Sequence, residues 1–164
     1  MELYVVGQTP REAIEDGIAY EPYEGRLSAL HESVRLLGVM SHDEVLRILP
    51  DFDIGLALYK PYPNNLSRWA DPSRVKDYLA CGLAVIITDV PEIAKDINRY
   101  EAGLVIPYTA DALVEAIAAL YSEPERTMTM RRNARRYMEK FSWSRIFNDA
   151  FRRSIAAWEK KMTI

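Results

Sequence analysis

The sequence predicts an α/β protein built on a parallel sheet with helices on both faces. Three observations carry this expectation. Short apolar runs at Ile54 to Leu58, Leu83 to Thr88 and Gly103 to Ile106 read as strands buried on both sides. Helical patterns, with apolar residues three and four apart, separate the last two runs from what precedes and follows them. Strands alternating with helices in this way require right-handed crossovers, which make the sheet parallel. At 164 residues, 49% of them hydrophobic, the chain has the material for a substantial core.

Taken in order, Glu2 to Val6 reads as a buried strand and Gly7 to Pro10 as the turn after it. Arg11 to Ile14 is compatible with a short helix, Gly17 with a turn, and Tyr20, Tyr23 and Gly25 with a loop. Glu32 to Val39 is a strand. Ser41 followed by Glu44 has the form of a capping box, which starts a helix through Leu49 that Pro50 stops. The loop from Tyr59 to Ala70 is marked by Pro61, Pro63, Asn64 and Asn65. It lies between a strand and the next helix, at the carboxyl edge where open parallel sheets bind ligands. Tyr59, Asn64, Asn65, Ser67 and Arg68 are candidate contacts there; solvated loop residues are the other account of them. A helix follows from Pro72 to Cys81, with Asp71 or Ser73 as cap and Gly82 taking the left-handed conformation at its end. Further helices are expected over Pro91 to Ile97, Ala110 to Tyr121, 124–139 and 142–161, the last capped by Ser142. Trp143, Phe147, Phe151 and Trp158 form a stripe along that final helix, either a docking face or part of a core.

The helix from Pro72 is the chemically suggestive element. Val75, Tyr78 and Leu79 share its apolar face, and Arg74 and Asp77 share another. A cation and a carboxylate beside free helix-end amides suit a ligand carrying both a phosphate and a diol, although an exposed ion pair within the helix has the same spacing.

The run Pro72-Ser73-Arg74-Val75-Lys76-Asp77-Tyr78-Leu79-Ala80-Cys81-Gly82-Leu83-Ala84-Val85-Ile86 closely resembles the donor-site segment of GT-B glycosyltransferases of the glycosyl transferases group 1 type, the family 4 lineage. Leu3 to Gly7, Val34 to Gly38, Asp53 to Leu58, Glu101 to Ile106 and Phe141-Ser142-Trp143 extend the resemblance over nearly the whole chain. It implies a Rossmann-like fold, the C-terminal half of GT-B, and a nucleotide-sugar donor as substrate. By that resemblance Asp77 holds the ribose, Arg74 and Ser73 the diphosphate, Val39 and Met40 the base, and Asn64 and Asn65 the sugar. Residues 1–140 would form an N-terminally incomplete donor domain. Residues 141–164 would form a helix packing toward an acceptor-binding N-terminal domain that is missing or on another chain. The run departs from the family pattern at several positions: Asp77 replaces glutamate, Arg74 replaces lysine, Ala84 stands where proline is common, and Trp69 occupies the place of a second glutamate.

Other chemistries find little support. No glycine-rich phosphate motif can be written from the seven glycines. His31 and His42 have no zinc-ligand or triad spacing, and no cofactor, metal or catalytic residue is assigned. Asp51-Phe52-Asp53 has the D-x-D form that binds metal in a different glycosyltransferase fold, but its place at a strand's entry favours a turn and capping role. The net charge of −3 gives no argument for nucleic acid. Residues 131–164 nevertheless carry about +7 against −10 in the remainder. That basic segment suits an anionic membrane surface or simply solvated helix faces. One cysteine and the absence of any long apolar run point to a cytoplasmic setting.

Three functional readings follow: the donor half of a glycosyltransferase inactive alone, a nucleotide-sugar-binding or interaction subunit of a two-chain enzyme, and a degenerate non-catalytic domain.

Overall fold

The computed structural model describes residues 1–7, 13–15, 18–20 and 33–162. They fall into two compact units, Met1–Ile48 and Leu49–Ile164. In the first, β1 (Leu3–Val6) pairs in parallel with β4 (Val34–Gly38), from Leu3 opposite Val34 to Val6 opposite Gly38. Between them in sequence, β2 (Ala13–Glu15) and β3 (Ile18–Tyr20) form an antiparallel pair.

That pair corrects two expectations, the short helix reaching Ile14 and the loop at Tyr20. Two three-residue runs, Ala-Ile-Glu and Ile-Ala-Tyr, flank an Asp-Gly dipeptide, and this arrangement favours a hairpin over one helical turn. The expectations for Gln8 to Pro10, Arg11, Gly17, Tyr23, Gly25, His31 and Glu32 lie outside the described residues. The buried strand expected at Glu2 to Val6 is also corrected, because Leu3, Tyr4 and Val6 are exposed. Among the described residues β1 pairs only with β4, and a two-stranded ribbon cannot cover its own faces.

The capping box forms as expected. The Ser41 amide donates to Glu44 Oε2 at 2.8 Å, and the Glu44 amide donates to Ser41 Oγ at 3.3 Å. These bonds open α1 (His42–Ile48), and the Ser41 hydroxyl, donating to Glu44 Oε2 at 2.7 Å, together with the Ser41 amide holds the exposed Glu44 carboxyl below its ordinary range.

The second unit begins with a 3-10 turn at Leu49–Asp51 and continues through β5 (Ile54–Ala57), α2 (Ser73–Cys81), β6 (Ala84–Thr88), α3 (Ile93–Arg99), β7 (Gly103–Ile106), α4 (Ala110–Ser122), α5 (Pro124–Met138) and α6 (Trp143–Met162). Its sheet has the order β5-β6-β7, parallel throughout. All five residues of β6 are buried, as the continuous apolar run predicts for a central strand.

Alternation along β6 divides the core. Val85 and Ile87 meet Val75 and Leu79 of α2, Ile97 of α3, and Ala134 and Tyr137 of α5. Ala84 and Ile86 face the other way, toward Ala116 and Leu120 of α4 and Met130 of α5. Helices therefore cover both faces, and this is the α/β architecture read from the sequence.

Val75 and Leu79, four apart on α2, are fully buried, which stabilises the fold by about 1.5–3 kcal/mol each. Gly55 of β5 allows that contact. A Cβ there would lie 2.5 Å from the Tyr78 ring, so any larger residue would push α2 off the sheet. Gly82 ends α2 at φ +78, with its amide bonded to the Leu79 carbonyl and the Leu83 amide to that of Tyr78.

The N-terminus of α2 departs in detail from expectation. Pro72 stands at the cap rather than at the first helical position, and neither Asp71 nor Ser73 caps it. The Asp71 carboxylate instead pairs with Lys76.

Candidate functional site

In a right-handed parallel unit, the helix after a strand starts at the sheet's carboxyl edge. α2 follows β5, so its first residues and the loop 58–72 lie at that edge. Two side chains set the loop's shape. Thr88, the last residue of β6 and only 1% exposed, accepts from the Tyr59 amide at 2.8 Å and donates to the Tyr59 carbonyl at 2.7 Å. Asn65 donates to the Lys60 carbonyl at 2.5 Å and accepts from the Ser67 amide at 2.9 Å, capping the 3-10 turn Leu66–Arg68. Asn65 thus spends its amide within the loop, whereas Asn64 is exposed.

The loop is tied to the helix through aromatic and charged groups. The Arg74 guanidinium lies 5.8 Å from the centre of the Tyr59 ring. Tyr78, one turn on, is largely buried, and burial first of all raises its phenol above the ordinary range. The same hydroxyl feels Arg74, which lowers it, and Tyr59 and Asp77, which raise it, so these groups share one neighbourhood. Asp77 also acts on Cys81, whose thiol is pushed up chiefly by burial.

At the helix start, the Val75 and Lys76 amides return to the Pro72 carbonyl at 3.1 and 3.3 Å. The Ser73 and Arg74 amides precede them and have no carbonyl one turn back within the helix. Two such amides, an exposed guanidinium, an exposed hydroxyl and a half-buried carboxylate lie within five residues. The chemistry this arrangement can perform is recognition: anion binding at the amides and Arg74, and acceptance of hydroxyl protons at Asp77.

The other expected site residues are placed as follows. Val39 and Met40 follow β4 in the first unit, Val39 being 76% exposed. Ser67 is half-buried and Arg68 exposed. Asp53 pairs with Arg131 at 2.6 Å, so one carboxylate of the Asp51-Phe52-Asp53 run is engaged in holding α5. Among the described residues, no group of three His, Cys, Asp or Glu could hold a metal ion. Two concavities lie elsewhere in the unit, one along the start of α6 and one beside the end of α3. Neither is lined by Ser73, Arg74 or Asp77.

Sequence reasoning missed the residue that holds this edge and those that anchor the far end of α2. Thr88 reads in sequence as one more β-branched strand residue. Arg131 and Arg135 read as surface cations, yet Arg131 Nε donates to the Gly82 carbonyl at 2.8 Å and Arg135 to the Cys81 carbonyl at 3.2 Å. Both therefore secure the C-terminal end of α2.

Residues 72–137 match the family model described as Glycosyl transferases group 1. No protein of curated function matches the sequence. Among solved structures, the chain is similar to WaaG, a glycosyltransferase involved in lipopolysaccharide biosynthesis. That match has TM-score 0.60 and 20% identity, and covers 84% of this chain and 34% of WaaG. A sucrose-phosphate synthase from Thermosynechococcus elongatus matches at TM-score 0.62 and 21% identity, over 95% of this chain and 39% of that one. The chain thus spans little more than a third of either neighbour's length. Its fold is the Rossmann-like α/β fold of the C-terminal domain of GT-B glycosyltransferases, and the group 1 likeness rests on residues 72–137.

Proposed function

We propose that this chain supplies the donor-binding half of a glycosyltransferase that moves a sugar from a nucleotide sugar to an acceptor. The observation that carries the proposal is the coincidence of two boundaries. The group 1 match opens at Pro72, the residue that caps α2 and puts Ser73, Arg74 and Asp77 at the sheet's carboxyl edge.

In this reading Asp77 accepts hydrogen bonds from the ribose hydroxyls, each charge-assisted contact contributing about 1.5–3 kcal/mol. Arg74, with the Ser73 amide and hydroxyl, holds the diphosphate. As the glycosidic bond breaks, negative charge grows on that leaving group, and these preorganised donors stabilise it. Asn64 is the sugar-side contact of the loop, and Asn65 shapes it. The reading gives no role to a metal or cofactor.

The acceptor half would come from polypeptide outside this chain, because the neighbours extend well beyond the part matched here. Trp143, Phe147, Phe151 and Trp158 of α6 are each more than three-fifths exposed and form a face suited to that contact. The isolated chain would then bind donor without turnover. Among the described residues no helix is long and apolar enough to cross a membrane. The basic C-terminal segment is compatible with a cytoplasmic protein that touches an anionic bilayer surface.

Calorimetry with UDP, GDP and ADP and their sugar conjugates tests the reading. One nucleotide family should bind, and Asp77→Ala should weaken it at least tenfold, about 1.4 kcal/mol, with an unchanged circular dichroism spectrum. Equal affinity in mutant and parent would remove Asp77 from the site. Binding of no nucleotide would favour the degenerate-domain reading.

A further inference from the structure

From a cluster of cations on the helical face of the second unit, we infer a second anion site, one that takes a phosphate-bearing ligand. Arg99 at the end of α3, and Arg136 and Lys140 near the end of α5, line one concavity of about 300 Å³. Glu101 is the sole carboxylate among its lining residues, so the lining carries a net +2.

Two of the other polar groups there are already engaged, one of them with Asp96 outside the lining. The Tyr137 hydroxyl donates to Asp96 at 2.7 Å, and Asn133 donates to the Glu101 carbonyl at 3.2 Å. Cations gathered at a helix C-terminus commonly serve its free carbonyls, but here three carbonyls of the last turn of α3 have amide partners. Tyr100, Glu101 and Ala102 donate to Asp96, Asn98 and Ile97 at 2.8, 3.1 and 2.9 Å.

Two of the three cations lie instead against aromatic rings. Lys140 stands 3.7 Å from the Tyr100 ring centre and 5.8 Å from that of Tyr137, and Arg99 lies 5.8 Å from Tyr100. The two rings pack on each other at 5.0 Å. Among the described residues, none of the three cations forms an ion pair with a carboxylate. Two of these cations rest on the aromatic pair and Arg136 shares the lining with them; like charges so gathered repel one another, and a ligand with two or more negative oxygens relieves that repulsion while bonding to them. The concavity is large enough for a diphosphate and open enough for the headgroup of an anionic lipid.

This site is separate from the donor edge and does not depend on the donor assignment. The test uses the full chain carrying Arg74→Ala, which silences the donor edge, and titrates inorganic pyrophosphate while following backbone amide resonances. Residues 99–101 and 133–140 should shift, and Arg136→Gln with Lys140→Met should weaken the binding at least tenfold with the circular dichroism spectrum unchanged. A parallel arm floats the same proteins with phosphatidylcholine vesicles containing phosphatidic acid. Pyrophosphate binding lost in the double variant identifies a soluble ligand. Vesicle binding lost in the double variant, without pyrophosphate binding, identifies a lipid headgroup. If neither probe binds, or if the double variant binds either probe as the parent does, the inference is overturned.

Discussion

Replacing Thr88 by valine keeps the shape of a fully buried side chain and deletes its hydroxyl. That hydroxyl makes two bonds to one residue, accepting from the Tyr59 amide at 2.8 Å and donating to the Tyr59 carbonyl at 2.7 Å. Each contributes about 1 kcal/mol net, and the Tyr59 groups left behind cost somewhat more because Tyr59 is only partly open to water. The expected loss is about 2–3 kcal/mol, or about 4–12 °C in midpoint for a chain of this size. Urea unfolding followed by far-ultraviolet circular dichroism measures it, with Thr88→Ser as the control that restores the hydroxyl. The tether positions the stretch from Tyr59 to the start of α2, and Arg74 rests on Tyr59. Nucleotide affinity should therefore fall in the valine variant and recover in the serine one. A valine variant within about 0.5 kcal/mol of the parent, or a serine variant no better than valine, would show that the bridge does not hold this edge.

Three further outcomes follow from the same contacts. Arg131→Met should cost about 2 kcal/mol, because it removes a charged donor from the Gly82 carbonyl, whereas Asp53→Asn, touching only an exposed partner, should cost less than about 1 kcal/mol; matching urea midpoints for the two would contradict this. Burial and then the bond to Asp96 raise the Tyr137 phenol well above its ordinary value near 10. The folded chain then keeps a proton that the unfolded chain releases, so this contribution is whole below about pH 10 and fades as pH rises toward the folded value. Tyr137→Phe should flatten the alkaline fall in stability measured between about pH 8 and pH 11, and an unchanged slope would exclude Tyr137 as its source. Cys81, the sole cysteine, has its thiol pushed up by burial and by Asp77, so at about pH 8 it should react with a disulfide reagent more slowly than free cysteine; an equal or faster rate would contradict that environment.

Much of the second unit was legible in the residues because its signals are local. The continuous apolar run of β6 announces a strand buried on both faces, and Gly82 announces the end of α2. The run from Pro72 carries the group 1 pattern, and in the first unit Ser41 and Glu44 announce a capping box. The first unit was read less well. Ala13 to Tyr20 is too short for periodicity to separate one helical turn from two strands, and the exposure of β1 depends on what lies against it rather than on its own composition.

For the second unit, the sequence by itself determined the order of elements, the parallel sense of the strands and the family likeness of the segment that begins at α2. All of these depend on spacing over a few residues and on the handedness of crossovers. Only the tertiary structure decided which polar side chains hold the two edges of the sheet and which cations gather on its helical face. Thr88 reaches Tyr59 across 29 positions, Arg131 reaches Gly82 across 49 and Asp53 across 78. Arg99 and Lys140, 41 positions apart, both lie against the ring of Tyr100. No local pattern encodes such pairings, because the Thr88 bond exists only once β5 and β6 lie side by side, and the others only once α5 has packed beside α2 and α3.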